Sequence, residues 1–426
     1  MKRLVSIDVG RGLAIMGVVF FHAVIFNLPL SSPTPTDAST KLVLDIITYF
    51  TAWAGMFAII SGFGNTLSLY GGLKSGKVKD PKQAVQSAVF SGGMIIIVNY
   101  ICVFIFCPGG FTDAGTYRGG FLPGLIREGQ FLIAETAHYM FATTLIMIGW
   151  SILLSGVVLY FLLRNDGHKK RKRNYILLGF LGTFFIFIYP LFDGLTYSLL
   201  HQDTNLLNFI PQLVLGWIVG PMDPIFPYFG FALYGVILGF MFVEKVEKRK
   251  ILRFGFGLGA IYTILGIVFV LIFGYEVIKW ETPNLAALLL MLGPMFLLLM
   301  FILYRIDLRG EEKKVAWVER STAVRRFGTV GLTIFILEGT LVQLMRHVFR
   351  LFLPGFDDYL IFMFFAFTTV NVIIWAIILK YWEKVDYKYS FEWFMIKLRC
   401  RITKKDSDRL SAYKSLDSYV EQETTR

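Results

Sequence analysis

The chain has 426 residues, of which 55% are hydrophobic, 16% aromatic and only 17% charged, and its mean hydropathy is +0.61. This composition excludes a water-soluble globular protein of this length and predicts an α-helical membrane protein without a large soluble domain. The net charge of +12 does not indicate nucleic-acid binding, because the basic runs are short, dispersed between apolar segments and unaccompanied by any nucleic-acid-binding motif.

Ten apolar segments are long enough to cross a bilayer, which takes about 20 residues. In chain order they cover residues 5–29, 42–71, 87–107, 131–163, 175–193, 225–243, 254–274, 285–304, 328–349 and 359–382. An eleventh, "LLNFIPQLVLGWIVG" at 206–220, is short and contains Pro211, which favours a re-entrant or interfacial segment. The sequence therefore predicts an all-α polytopic membrane protein, a bundle of about ten transmembrane helices plus this short segment.

Basic residues are distributed unevenly over the two sides that ten spans create. Lys2, Arg3 and Arg11, the loops that share a side with the N-terminus, and the residues from Lys380 onwards together hold 36 of the 42 Lys and Arg residues. Because cytoplasmic loops are rich in Lys and Arg, both termini are predicted to be cytoplasmic, and membrane lipids are expected partners. The six other basic residues are Lys41, Arg118, Arg127, Lys279, Arg346 and Arg350.

The chain divides at the end of the tenth span. Residues 1–382 form the predicted transmembrane domain, and residues 383–426 form a cytoplasmic tail. Around its start, "YWEKVDYKYSFEWFMIKLRCRI" interleaves aromatic and basic residues as an interfacial helix does. The remainder of the tail is polar and is expected to be partly disordered. The three cysteines have no spacing typical of a disulfide or a zinc site.

The first span contains three ionisable residues, Asp8, Arg11 and His22, which are rare inside a bilayer and functional by default. Ten residues separate Arg11 from His22, so on a helix the two share a face about 16 Å apart. Asp8 lies three residues before Arg11, at a spacing that allows the two to pair. The structural alternative is that Asp8 and Arg11 form an interfacial anchor and that His22 makes an interhelical hydrogen bond.

The stretch "SIDVGRGLAIMGVVFFHA" resembles the opening of the transmembrane acyltransferase superfamily. This superfamily includes the acyltransferase-three family and the heparan-α-glucosaminide N-acetyltransferase-like proteins. The shared pattern is an Asp, an Arg-Gly pair three residues on, an apolar run and a His, matched here by Asp8, Arg11, Gly12 and His22.

Four further stretches resemble the family pattern in the expected order. They are "MFAIISGFG" (56–64), "AHYMFATTL" (137–145), "PIFPYFGFALYGVILG" (224–239) and "FGTVGLTIFILEGTLV" (327–342). The last of them departs from the pattern at three positions. Gly331 replaces the usual Ser, Phe335 replaces the Tyr, and Glu338 stands where many members carry His or Gln.

The resemblance implies acyl transfer across a membrane. A cytoplasmic acyl-CoA, expected to be acetyl-CoA, would act as co-substrate without a metal, and its acyl group would pass to a hydroxyl or amine of an extracytoplasmic glycan or glycolipid. The expected localisation is the cell membrane, the expected partners include no nucleic acid, and a homodimer is left open.

The cation of Arg11, with Asp8 beside it, is the candidate to bind the CoA phosphates. A neutral imidazole in a low dielectric suits proton removal from the acceptor hydroxyl, so His22 is the candidate general base. A covalent acyl-imidazole at His22 is the other chemical possibility, and the sequence does not distinguish the two.

Five other residues complete the predicted site. Ser61 and the backbone N–H groups around a helix break from Gly62 to Gly64 are candidates to bind the thioester and its oxyanion, and close helix packing is the alternative. Glu135 and His138 are spaced to face one pocket, where they would bind the acceptor or assist proton transfer. Glu338 lies deep in its span and is a candidate to orient a histidine or to bind sugar hydroxyls.

Two other function classes remain open at the level of sequence. Intramembrane charges also occur in secondary transporters, but these usually contain inverted repeats with paired broken helices, and the sequence shows no such pair. A lipid-linked glycosyltransferase would be expected to carry an acidic cluster in the first outer loop, where only Asp37 occurs.

Overall fold

The computed structural model describes residues 4–27, 45–47, 49–50, 53–78, 80–111, 117–134, 136–192, 209–274, 284–355 and 363–403. These residues are mainly helical. The α-helices, in chain order, are α1 (Val5–Ile25), α2 (Gly55–Lys74), α3 (Pro81–Ile101), α4 (Phe121–Glu128), α5 (Thr136–Met140), α6 (Thr144–Leu163), α7 (Arg171–Ile188), α8 (Phe209–Val219), α9 (Ile225–Val243), α10 (Lys248–Phe273), α11 (Leu285–Ile306), α12 (Glu311–Arg320), α13 (Thr322–Thr329), α14 (Gly331–Phe352), α15 (Thr368–Trp382) and α16 (Phe391–Thr403).

Shorter elements extend or connect these helices. Two-residue strands β1 (Gly110–Phe111) and β2 (Tyr117–Arg118) pair antiparallel, with Gly110 opposite Arg118. The π-helical turns are Cys102–Phe106 and Met363–Phe367, and the 3₁₀ turns are Arg164–Lys169, Tyr189–Phe192 and Glu383–Val385.

Nine helices in the described ranges are long and apolar enough to cross a membrane. They are Val5–Ile25, Pro81–Phe106, His138–Lys169, Arg171–Phe192, Ile225–Val243, Lys248–Phe273, Leu285–Ile306, Gly331–Phe352 and Phe365–Val385. Each corresponds to one of the ten predicted spans. The predicted short segment contains the 11-residue helix α8, which is apolar but below spanning length. The prediction of a polytopic helical membrane protein is therefore confirmed, while the orientation of the termini stays a prediction.

The predicted span 42–71 differs from the others, because its helix α2 is not apolar enough to be counted with the nine. Asn65 and Thr66 lower its hydropathy, and both side chains are bonded inside the protein. The Asn65 amide donates to the Ile152 carbonyl oxygen at 3.1 Å, and the Thr66 hydroxyl donates to the Gly62 carbonyl oxygen at 2.9 Å. A helix covered by neighbouring helices does not need the apolar surface that lipid requires.

The chain forms two compact units. The first comprises residues Met1–Arg3, Ala52–Ile101 and Thr136–Phe301, and the second comprises Leu4–Thr51, Cys102–Glu135 and Ile302–Arg426.

In the first unit, helix α9 is almost completely buried and packs against α2, α6 and α7. Glycines allow α2 and α9 to approach closely. A Cβ atom on Gly62 would lie 2.0 Å from the Ala232 carbonyl oxygen, and one on Gly235 would lie 2.1 Å from the Ile59 carbonyl oxygen. Small residues at helix crossings are typical of membrane bundles, where close van der Waals packing drives association.

In the second unit, helix α1 packs against α13, α14 and α15. An apolar cluster of buried residues, Ala23, Val342, Met345 and Phe367, joins the C-terminal half of α1 to α14 and to the turn before α15. In the N-terminal half of α1, a Cβ atom on Gly12 would lie 2.0 Å from the Val324 carbonyl oxygen of α13. The Gly of the Arg-Gly pair is thus required for this close helix contact.

The N-terminus of α1 is capped by a residue that is distant in sequence. Leu4 precedes the helix and has no side chain able to cap it, so the Asp307 carboxylate accepts hydrogen bonds from the Ser6 N–H at 2.8 Å and the Val5 N–H at 3.4 Å. Lys314 pairs with the same carboxylate at 3.4 Å, and both side chains are buried. The carboxylate satisfies free N–H groups and interacts favourably with the positive end of the helix.

The N-terminus of α14 is capped in a similar way by the tail helix α16. The Glu392 carboxyl accepts hydrogen bonds from the Leu332 N–H at 2.7 Å and from the Thr333 hydroxyl at 2.5 Å, and the Phe391 N–H donates to the Thr333 hydroxyl oxygen at 2.8 Å. Burial raises the pKa of the Glu392 carboxyl above its ordinary value. A tail helix thus occurs over Phe391–Thr403 and contacts α14; its place at the membrane interface stays a prediction. The predicted disordered end of the tail lies outside the described residues.

Candidate active site

The first candidate residues lie on α1, which is continuous from Val5 to Ile25. Arg11 and His22 occur on this one helix and both are half-buried. The eleven-residue step between them corresponds to about 16 Å along the axis. The helix therefore places a cation near its N-terminal end and an imidazole in its last turn.

His22 contacts Glu338 of α14, a residue 316 positions later in the chain. The imidazole Nδ1 lies 2.7 Å from Glu338 Oε1, and the side chains are 18% and 3% exposed respectively. A carboxylate acceptor at this distance favours a proton on Nδ1 and leaves Nε2 as the basic nitrogen. This is the arrangement by which a carboxylate orients a catalytic imidazole in many hydrolases and transferases.

Aromatic rings surround the imidazole. The ring centroid of Phe26 lies 4.8 Å from that of His22, and the centroid of Phe335 lies 6.3 Å away. Among the described residues, the buried Glu338 Oε2 has no hydrogen-bond partner. Electrostatic interactions are stronger in such a poorly solvated environment, so this oxygen is a favourable acceptor for a substrate hydroxyl or a water molecule.

At the other end of α1, Arg11 is partly exposed and forms no hydrogen bond or ion pair with any residue in the described ranges. The predicted Asp8–Arg11 pair is absent: Asp8 is 9% exposed and turned into the protein, whereas Arg11 reaches the surface. A Cβ atom on Gly328 would lie 2.6 Å from the Asp8 carbonyl oxygen, so Asp8 belongs to the close contact between α1 and α13.

The remaining predicted residues are placed as follows. Ser61 and Gly62 lie on α2 of the first unit, and that helix continues through Gly62 without the predicted break. Its backbone N–H groups there donate within the helix, because Gly62 lies in its interior. Gly62 also serves the close contact with α9. His138 lies on the five-residue helix α5 of the first unit and is half-buried. Glu135 lies outside the described residues.

The sequence did not single out a polar cluster one turn beyond His22. Asn27 at the end of α1, Arg127 on α4 and Gln343 on α14 are joined by hydrogen bonds to Arg127 Nη1, at 3.4 Å from Asn27 Oδ1 and 3.2 Å from Gln343 Oε1. One signal in the sequence was available, because Arg127 is among the six basic residues outside the basic loops.

No group of three or more His, Cys, Asp or Glu side chains that could hold a metal ion occurs in the described ranges. The candidate residues described above supply an imidazole, a carboxyl group and arginines. These groups suit acid–base chemistry and the binding of anions.

A family model described as an acyltransferase domain matches residues 4–381, which is most of the chain and includes both His22 and Glu338. No curated protein matches the chain in a sequence comparison. The family match confirms the resemblance seen in the N-terminal motif, and it does not support the secondary-transporter alternative. The chain therefore belongs to the acyltransferase-three family and is a multi-pass membrane acyltransferase.

Proposed function

We propose that the protein transfers an acetyl group from cytoplasmic acetyl-CoA to a hydroxyl or amine of an extracytoplasmic glycan or glycolipid. The observation that carries the proposal is the 2.7 Å contact between His22 and a buried Glu338 within an acyltransferase domain. An imidazole held in this way is suited to activate a hydroxyl, which is a poor nucleophile until its proton is removed.

In the proposed reaction, His22 Nε2 accepts the proton of the acceptor hydroxyl as its oxygen attacks the thioester carbonyl carbon. A C–O bond forms, the C–S bond breaks, and the same proton passes from Nε2 to the departing CoA sulfur. Glu338 keeps Nδ1 protonated and stabilises the imidazolium that forms in between. Attack by Nε2 on the thioester, giving an acyl-imidazole that the acceptor then cleaves, is the alternative route.

Arg11 is the proposed contact for the CoA phosphates. Its guanidinium is partly exposed and has no ion pair in the described part of the chain, so it is available to a phosphate without breaking an existing interaction. Guanidinium groups bind phosphate through paired, charge-assisted hydrogen bonds. Helix α13, packed on α1 at Gly12, adds the positive charges of Arg325 and Arg326 to the same unit, but Arg325 is buried and Arg326 pairs with Glu383 at 2.7 Å, so Arg11 is the more available cation.

The roles of Ser61, Glu135 and His138 stay predictions. The hydroxyl of Ser61 remains the candidate hydrogen-bond donor to the thioester oxygen, whereas the helical backbone at Gly62 is no longer a candidate. His138, with Glu135, remains a candidate for acceptor binding.

The proposal is tested with purified protein in detergent and acetyl-CoA labelled in the acetyl group. We expect binding and slow hydrolysis of acetyl-CoA by the wild type. His22→Ala should abolish hydrolysis while retaining binding, and Arg11→Ala should mainly weaken binding. Wild-type protein that does not bind acetyl-CoA would overturn the donor assignment, and unchanged hydrolysis by His22→Ala would overturn the catalytic one.

A further inference from the structure

The last turn of α1 carries His22, and groups beyond the helix satisfy its final carbonyl oxygens. The Phe26 N–H donates to the His22 carbonyl oxygen at 3.0 Å and the Asn27 N–H to the Val24 carbonyl oxygen at 2.9 Å. Side chains supply further donors. The Asn27 amide donates to the Ala23 carbonyl oxygen at 2.9 Å. At the Phe26 carbonyl oxygen, Arg127 Nη1 donates at 3.4 Å and Gln343 Nε2 at 3.5 Å. The end of the helix is therefore fixed by groups from three elements.

Arg127 joins the two helices that carry the His22–Glu338 pair. Its Nη1 contacts the end of α1 at Phe26 and Asn27, and it also lies 3.2 Å from Gln343 Oε1 of α14. Phe26 follows His22 by one helical turn, and Gln343 follows Glu338 by little more than one turn. Through Arg127, helix α4 thus links the end of α1 to α14 about one turn beyond the pair.

Burial and charge favour this arrangement. The Arg127 side chain is 4% exposed, and its Nε lies 3.4 Å from the more exposed carboxylate of Glu128. A cation at the C-terminus of a helix interacts favourably with the negative end of the helix dipole, and a buried cation is little screened by salt. The planar guanidinium directs Nη1 to the oxygens of Phe26, Asn27 and Gln343 while Nε faces Glu128, and the single nitrogen of an ammonium group does not reproduce both contacts.

We propose that Arg127 is a positioning residue for acyl transfer, which holds His22 and Glu338 at hydrogen-bonding distance by fixing the end of α1 to α14. The proposal rests on the proposed function for its catalytic consequence. Its structural content is independent of that function, because it concerns the geometry of the His22–Glu338 contact.

The kinetic test compares Arg127→Gln with the control variant Arg118→Gln, which makes the same substitution at an exposed arginine of the same unit. We expect Arg127→Gln to lower kcat by roughly 10- to 100-fold, because a misplacement of about 1 Å costs rates of this order. The KM for acetyl-CoA should not change. Arg127→Lys should recover part of the loss, and Arg118→Gln should behave as the wild type. If Arg127→Gln does not fold, Gln343→Leu breaks the same connection from the α14 side and should also lower kcat.

The structural test uses protein labelled with ¹⁵N at its five histidines, with His22→Ala identifying the His22 resonances. A hydrogen bond to a carboxylate shifts the Nδ1 resonance, so Arg127→Gln, or Gln343→Leu in its place, should move the His22 signal while Arg118→Gln should not. A His22 signal identical to that of the wild type would overturn the proposal. Absence of acetyl transfer by the wild type would overturn the proposed function alone, because the NMR result still decides the role of Arg127.

Discussion

Glu338→Gln tests the central contact of the site with a minimal change of shape. The glutamine oxygen can still accept the Nδ1–H hydrogen bond, so the orientation and tautomer of the His22 ring are retained. The negative charge that stabilises the imidazolium is lost. The substitution therefore separates the electrostatic contribution of Glu338 from its steric one.

The size of the effect follows from the geometry. The two atoms are 2.7 Å apart and the side chains are 18% and 3% exposed, so water screens the interaction weakly. Hydrogen bonds to charged groups contribute about 1.5–3 kcal/mol, and about 1.4 kcal/mol corresponds to a tenfold change in rate. We expect the rate of acetyl transfer to fall roughly 10- to 150-fold on this basis.

The assay is the initial rate of labelled acetyl transfer or hydrolysis by purified protein, measured at saturating acetyl-CoA. Glu319→Gln is the control, because Glu319 is an exposed carboxylate of the same unit. A decrease of less than about threefold in Glu338→Gln, or an equal decrease in both variants, would refute the role assigned to the pair.

Two other predictions concern the fold. Gly62→Ala should lower the thermal stability of the purified protein, because the added Cβ would lie 2.0 Å from the Ala232 carbonyl oxygen. Gly64→Ala should leave the stability unchanged, because the added Cβ there meets open space. Equal stability of the two variants would contradict the close packing of α2 on α9. Because burial raises the pKa of Glu392, the stability it contributes should be fully present below its ordinary pKa of 4.5 and should decrease as the pH rises through the raised value. Thermal unfolding of wild type and Glu392→Gln between pH 4 and 8 checks this: the wild type should lose stability relative to the variant with rising pH, and a constant difference would contradict it.

The spans could be predicted from the sequence because an apolar run of about 20 residues has few alternatives to crossing a bilayer. The exception is instructive. Helix α2 contains Asn65 and Thr66, whose hydrogen bonds are made to other parts of the protein. Hydropathy measures the preference of a segment for lipid, so it underestimates how well a helix fits inside a membrane protein when neighbouring helices cover it.

The sequence indicates individual candidate residues of the proposed site, but not how they are arranged in space. His22 and Glu338 each stand out as ionisable residues in apolar segments. Their contact, across 316 positions of the chain, depends on how α1 packs on α14, and no local pattern encodes it. The role of Gly12 likewise depends on its contact with Val324. Arg127 was counted only as a charge outside the basic loops, since its burial becomes visible only in three dimensions.

The capping of α1 by Asp307 has a consequence for biosynthesis. Helix α1 is synthesised long before Asp307, because the carboxylate that receives the Ser6 N–H is 301 residues further along the chain, and the unit to which both belong is built from three separate stretches of the chain. The N–H groups at the start of α1 therefore lack this acceptor while the intervening helices are synthesised. A chain truncated before Asp307 would lack both this cap of α1 and the carboxyl neighbour of His22, and we expect it to be degraded more readily than the longer chain.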